Sequence, residues 1–212
     1  MKIRRTAQAV AVLAVGSLAL AACTSPADDG DTNGGEQTED TTDDATAGDF
    51  PVTVDADNGE VTIESRPERI ISLSPSSTEI LFAIGAGDQV VAVDEFSTYP
   101  EQAPTTDLSG YDPNVEAIVG YEPDLVLIAN DSNDLIASLE ALDIPVLANS
   151  APSDIDGGYD IVAALGLATG QIDGAAEVVE EMRTGLEEAF AQAPEDQQIR
   201  VYHELDETFF SA

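Results

Sequence analysis

The stretch 69-RIISLSPSSTEILFAIGAGDQVVAV-93 decides the fold class of this chain. Its apolar run Ile70–Leu73 predicts a short strand of the kind that parallel sheets bury on both faces. A serine-proline-serine turn ends that strand, and Ser76 with Glu79 fits a capping box, so a helix of about two turns is expected next. A glycine ends the helix and a second strand follows at Val90–Val93. The stretch therefore predicts a β-α-β unit, and such units bind ligands at the carboxyl ends of their strands.

The rest of the chain continues the alternation of strands and helices. A hairpin is predicted over residues 50–64, with Asn58-Gly59 as its turn. Ser132 is expected to cap a further helix that carries Leu135, Leu139 and Leu142. The remaining predicted helices are 113–119, 159–167 and 172–191, and the remaining predicted strands are 125–128, 145–148 and 200–205. This order predicts an α/β fold, a parallel-sheet lobe with flanking helices.

Residues 1–22 are predicted to be a signal peptide. Three basic residues precede an apolar core of small residues, which is too short to span a membrane. Cys23, the only cysteine, follows directly, and the arrangement resembles the lipobox of bacterial lipoproteins, whose cysteine is lipidated. The alternative is an ordinary signal peptide followed by a chance free cysteine. We expect Cys23 to carry a lipid that anchors the protein to the outer face of the cell membrane.

Acidic residues dominate the chain. It has 42 acidic and 7 basic residues and a formal net charge of −35, which excludes non-specific binding to nucleic acid. Residues 23–49 hold nine of the acids, no base and almost no large apolar side chain, so they are expected to form a disordered tether. The other acids are spread along the chain, which favours adaptation to a salty exterior over a dedicated basic partner.

The order of motifs resembles that of the substrate-binding lipoproteins of bacterial ABC importers for iron complexes and vitamin B12. The segments that carry the resemblance are ERIISLSPSSTEILFAIGAGDQVVAV (68–93), TYP (98–100), NVEAIVGYEPDLVLIA (114–129), LEALDIPVL (139–147) and LGLATGQIDGAAEVVEEM (165–182). The resemblance implies two α/β lobes joined by one long helix, with the ligand held between them. The first lobe would be 50–170, the linking helix 171–193 and the start of a second, largely missing lobe 198–212.

The resemblance also implies which residues face the ligand, namely those in loops after the strands of the first lobe and on the first strand of the second. They are Ser74, Pro75, Ser76, Ser77, Phe96, Gly110, Tyr111, Asn130, Tyr202 and His203. Phe96 stands where a B12-binding relative places an aromatic contact. Gly110 and Ala129 stand where that relative has further aromatic contacts, and Tyr111 could replace one of them.

The basic residues after position 49 limit the charge of the ligand. Arg66 and Arg69 precede the first parallel strand, at the end of the sheet away from the ligand, and Arg183 lies on the linking helix. The fourth base, Arg200, begins the predicted strand 200–205, and the second lobe could supply further arginines. An anionic ferric catecholate would require arginines in the cleft. We therefore hypothesise a neutral or cationic ligand, such as a corrinoid or a ferric hydroxamate complex.

Glu116 is the candidate residue for docking to the permease. In the family, the glutamate of the N-x-E-x-I-V segment lies on the outer rim of the lobe and contacts arginines of the permease, a charge-assisted pairing that sets orientation. The alternative is a solvated helix acid, one among the 42 acids of the chain. Its position in the motif favours docking.

The resulting prediction is an extracytoplasmic solute-binding lipoprotein, not an enzyme. It would bind a ferric siderophore, haem or a corrinoid and work with an ABC permease and its ATPase. A lipoprotein enzyme would need converging His, Asp and Cys side chains, and the chain has one histidine. A sensor lipoprotein without a transport role is the third alternative. No cofactor or metal site is expected, since Asp154–Asp160 fits a turn and a helix cap better than a calcium loop.

Overall fold

The computed structural model describes residues 49–193 and the backbone of His203–Glu204 and Phe210–Ser211. Several predictions lie outside the described residues. These are the signal peptide 1–22, the lipid on Cys23, the tether up to residue 48 and the ligand contact of Tyr202.

The described part begins with the predicted hairpin. Strand β1 (Val52–Ala56) pairs antiparallel with β2 (Gly59–Ile63), and the loop between them is Asp57-Asn58. The expected turn, Asn58-Gly59, is therefore wrong by one residue. Gly59 is instead the first residue of β2, where its φ of 100° lies in the region that glycine adopts without steric cost.

Five parallel strands form the central sheet. They are β3 (Ile70–Leu73), β4 (Val90–Asp94), β5 (Thr105–Leu108), β6 (Leu125–Ile128) and β7 (Val146–Ala148), in the spatial order β5-β4-β3-β6-β7. The chain winds outward from β3 in one direction and then from β6 in the other. The expected α/β class is confirmed, and the winding reverses between β3 and β6, the place where open α/β sheets bind ligands.

Helices cover both faces of the sheet. They are α1 (Pro75–Ala83), α2 (Val115–Val119), α3 (Leu135–Glu140), α4 (Ile155–Thr169) and α5 (Ile172–Gln192). One apolar core joins Ile70 and Leu127 to α1, α4 and α5, while the other joins Ile71 to α2 and α3. All four residues of β3 and of β6 are buried, because each of these strands packs against helices on both sides. None of the helices in the described part of the chain is long and apolar enough to cross a membrane.

Two helix starts differ from the predictions. The cap of α1 is Ser74, whose hydroxyl accepts a hydrogen bond from the Ser77 N–H at 3.5 Å, and not Ser76. Pro75 decides this, because its fixed φ and missing N–H suit the first position of a helix. Ser132 does not cap α3 either: the N-cap residue is Asp134, which makes no side-chain capping bond, and the Asp131 carboxylate accepts the N–H of Ile136 at 3.0 Å.

The hairpin turn covers the open edge of the sheet at β7. The Asn58 side chain donates to the carbonyl of Val146 and accepts from the N–H of Ala148, each at 3.0 Å. The Asp57 carboxylate accepts the N–H of Ser150 at 2.6 Å. The hydroxyl and the N–H of Ser150 hold the pKa of Asp57 below its ordinary value. These bonds satisfy backbone groups that an edge strand would otherwise leave free.

The structure differs from the expected pattern in three further places. The edge strand β5 was not expected, and α4 begins four residues before the predicted start at residue 159. On α5, Met182 and Phe190 are exposed. In the predicted strand 200–205, His203–Glu204 form β8, which pairs antiparallel with β9 (Phe210–Ser211).

Candidate functional site

The loops that follow β3, β4, β5 and β6 surround one small cavity, named here the strand-end cavity. Its volume is about 60 Å³, and its walls are Leu73, Ser74, Pro75, Asp94, Phe96, Gly110, Tyr111, Ala129 and Asn130. Parallel strands bring these loops to one edge of the sheet, at the reversal of the winding. A volume of this size holds a few atoms, so a larger ligand would lie over the cavity and insert one group.

Six of the predicted ligand contacts therefore meet at one place. They are Ser74, Pro75, Phe96, Gly110, Tyr111 and Asn130. Ser76 and Ser77 do not line this cavity. They lie in the first turn of α1 and line a larger groove of about 460 Å³ between α1, α4 and α5, which we name the helix groove. The side chain of His203 is outside the described residues, as is Tyr202.

Two aromatic rings form the rim of the strand-end cavity. Phe96 and Tyr111 are 54% and 75% exposed, and their rings meet edge to face with centroids 5.8 Å apart. Gly110 allows this arrangement, because a Cβ at this position would collide with the carbonyl oxygen of Leu73. The aromatic group at this part of the rim is thus supplied by Tyr111 and could not be supplied by residue 110.

A buried hydroxyl network holds the loops under the cavity. The Thr78 hydroxyl lies 2.9 Å from the Ser72 hydroxyl and 3.0 Å from that of Ser97, and all three residues are fully buried. The network connects β3, α1 and the loop after β4. It fixes the positions of the cavity walls, since buried hydroxyl groups are costly to leave without partners. Sequence reasoning did not identify this network, although Ser72 interrupts an apolar strand.

Asp94 is a second feature that sequence reasoning missed. It is the last residue of β4, it lines the strand-end cavity and it is 2% exposed. One carboxylate oxygen accepts the Ser97 N–H at 3.0 Å.

The described basic residues lie away from the strand-end cavity. Arg69 donates to backbone carbonyls of Tyr121 and Glu122, just before β6 and therefore at the opposite end of the sheet. Arg66 donates to Thr169, and Arg183 stacks 4.0 Å from the ring of Tyr159. In the described part of the chain, no basic side chain lines the cavity, and no three His, Cys, Asp or Glu side chains are grouped to hold a metal ion.

Glu116 is exposed in the first turn of α2. Asn114 caps this helix by accepting the N–H of Ala117 at 3.0 Å. The segment before α2 comes from the carboxyl end of β5, so the start of the helix lies toward the cavity side of the sheet. Within residues 49–193, Glu116 has no ion-pair or side-chain hydrogen-bond partner.

Comparison with known proteins connects this geometry to a family. Residues 70–211 match the profile of a family described as periplasmic binding protein. A cobalamin-binding protein of Halobacterium salinarum is 37% identical over 168 residues, which is 76% of this chain and 46% of the relative. An ABC transporter substrate-binding lipoprotein of Bacillus subtilis is 35% identical over 184 residues, which is 84% of this chain and 56% of the relative. The chain thus spans about half the length of the curated relatives it matches.

Solved structures share the fold. A possible iron-binding periplasmic solute-binding protein from Staphylococcus epidermidis superposes with a TM-score of 0.59 at 25% identity, covering 68% of this chain and 58% of the other.

Proposed function

Because the chain belongs to the periplasmic binding protein family, we propose that it acts as an extracytoplasmic solute-binding lipoprotein. It delivers an iron complex or a cobalamin-type ligand to an ABC import permease. The observation that carries the proposal is the convergence of four strand-end loops on one aromatic-rimmed cavity at the reversal of the sheet. The mechanism is capture and release of a ligand, without chemistry on it.

The names of the relatives and the positions of the basic residues reduce the number of candidate ligand classes. Two relatives are named for cobalamin and for substrate binding by an ABC transporter, and a similar structure is described as possibly iron-binding. The described basic residues lie elsewhere on the lobe, so an anionic catecholate complex would meet no arginine here. We therefore favour a neutral or cationic ligand over an anionic one.

The proposal divides the protein into the parts expected from the sequence. Residues 1–22 act as a signal peptide and Cys23 carries the lipid. The acidic segment up to residue 49 is the tether between the lipid and the folded lobe. Residues 50–170 form the first lobe, 171–193 the linking helix, and residues from 198 onward begin the second lobe. The name of the Bacillus subtilis relative, a lipoprotein, supports the anchor.

Glu116 is proposed to dock the loaded receptor on its permease. The side chain is exposed and is free of ion pairs with the described residues, so its charge is available to an arginine of a partner. A carboxylate–guanidinium pair would set the orientation of the lobe, because such pairs are often bidentate.

Catalysis by the described lobe has little support. Residues 49–193 contain neither histidine nor cysteine, so a serine hydroxyl in the cavity has no imidazole or thiolate beside it from this segment. The relatives named above are binding proteins.

Isothermal titration calorimetry on the full-length protein tests the proposal. The compounds are cyanocobalamin, haem, a ferric hydroxamate and a ferric catecholate. We expect one of the neutral or cationic compounds to bind with a Kd of about 1 μM or tighter. Binding of none of the four would contradict the receptor function. Tight catecholate binding that is not weakened by salt would contradict the argument from charge.

A further inference from the structure

Asp94 is the one acidic or basic side chain in residues 49–193 that is buried. It is 2% exposed and lines the strand-end cavity. Every other acid in this acidic segment is at least partly in contact with solvent. A carboxylate is costly to bury unless it is paired or fully hydrogen-bonded, so its partners need to be identified.

The surroundings of Asp94 satisfy one of its two oxygens. Oδ1 accepts the Ser97 N–H at 3.0 Å, which closes the turn after β4. Oδ2 receives no hydrogen bond from the residues that the structure describes, and no basic side chain among them lines the cavity. Oδ2 lies on the side of Gly110, 3.4 Å from the place where a Cβ of that residue would be. A side chain at position 110 would therefore crowd this oxygen.

Closure of the turn does not explain why this residue is an aspartate. An asparagine accepts a backbone N–H equally well in such turns and carries no charge into the interior. The second terminal atom distinguishes the two residues, because in aspartate it is an oxygen that accepts and in asparagine an amide NH2 that donates. Asp94 thus differs from an asparagine by presenting an acceptor on the side of Gly110, which is itself part of the cavity wall.

On the basis of the proposed function, we infer that Asp94 Oδ2 accepts a hydrogen bond from an amide N–H of a corrinoid-type ligand. Phe96 and Tyr111 would cover the apolar edge of that ligand at the rim, while one of its amide side chains enters the 60 Å³ cavity. Asp94 then helps to determine which ligands the cavity accepts. It favours ligands with donor groups at this point and disfavours carboxylates or catecholates, which would place a second negative charge beside it.

The test is the substitution Asp94→Asn, with cyanocobalamin as the probe in calorimetric titrations of the full-length protein. Asparagine keeps the bond to Ser97 but presents a donor to the ligand. We expect about a 10- to 100-fold higher Kd, the usual consequence of losing a charge-assisted hydrogen bond. The matched control is Asp107→Asn on β5, which removes the same charge from an exposed residue and should leave the Kd unchanged. Equal Kd values for wild type and Asp94→Asn would overturn the inference and leave the receptor function intact.

A second measurement needs only the wild-type protein, in case the variant does not fold. Monocarboxylic acid derivatives of cyanocobalamin each replace one amide by a carboxylate. We expect at least one isomer to bind about tenfold or more weakly than cyanocobalamin. Equal binding of all isomers would overturn the inference, as would no binding of cyanocobalamin. The proposed function falls only if haem and both ferric complexes fail to bind as well.

Discussion

The ring of Phe96 stands at 81° to that of Tyr111, with 5.8 Å between the centroids, and both rings remain largely exposed. The two residues come from loops after neighbouring strands, β4 and β5. Edge-to-face geometry of this kind stabilises the pair, and the ring surfaces that point outward stay in contact with water. A flat, partly apolar ligand that covers them would gain the free energy of removing that apolar surface from water.

Substitution of the pair should weaken ligand binding. We expect Phe96→Ala and Tyr111→Ala each to raise the Kd about tenfold or more, because a buried aromatic contact is worth about 1.5–3 kcal/mol. The control is Tyr99→Ala, since Tyr99 is 67% exposed but lines the helix groove and not the strand-end cavity. Calorimetric titration measures all three variants. An equal loss for Tyr99→Ala would show that the aromatic rim is not the contact.

Glu116→Ala should separate docking from binding. We expect unchanged ligand affinity and reduced cellular uptake of labelled ligand, because the exposed carboxylate does not line the cavity but is available to the permease. Glu140→Ala, which removes an exposed acid at the end of α3, is the matched control and should transport normally. Weaker ligand binding by Glu116→Ala, or normal uptake, would contradict the docking role.

Two glycines of α5 should respond oppositely to alanine. A Cβ on Gly174 would collide with the carbonyl oxygen of Ile84 at the end of α1, while a Cβ on Gly185 meets nothing within 4 Å. We expect Gly174→Ala to lower the free energy of unfolding by about 1–3 kcal/mol, because backbone must shift. Gly185→Ala should raise it by about 0.5–1 kcal/mol, since alanine favours a helix interior. Urea denaturation measures both, and equal effects would contradict the close packing of α1 on α5.

The bond between the hairpin and Ser150, two residues after β7, should be visible in the titration of Asp57. The hydroxyl and N–H of Ser150 lower its pKa in the folded state, so the bond adds stability above the unfolded pKa. That contribution is lost as the pH falls through the folded pKa. We expect carboxyl NMR shifts to give a midpoint below the ordinary aspartate value, and Ser150→Ala to raise it part of the way back. A midpoint at or above the ordinary value would exclude this contact.

Most of the sheet could be predicted from the sequence, because burial on both faces makes β3 and β6 continuous apolar runs. Strand β5 could not, since its residues Thr105, Thr106 and Asp107 are polar and it lies at the edge of the sheet. The start of α1 was misplaced by two residues because the capping-box pattern at Ser76 takes no account of a proline that favours the first helical position.

The candidate site was predictable where it follows strand ends and not where it depends on packing. Gly110 and Tyr111 were expected at the site from the family resemblance, and both line the cavity, although the strand before them, β5, was not predicted. The rotation of α1 that turns Ser77 toward the helix groove is set by the core, and so is the burial of Asp94. Neither property leaves a periodic signal in the sequence.

Hydrogen–deuterium exchange of the full-length protein with and without its ligand tests the central claim most directly, namely that the strand-end cavity binds the ligand. The ligand is whichever of the four titrated compounds binds most tightly. We predict slower exchange in residues 73–74, 94–97, 109–111 and 129–131, and no change in residues 65–69 and 120–124 at the opposite end of the sheet. Protection confined to the helix groove, or unchanged exchange in all four loops at saturating ligand, would contradict the claim.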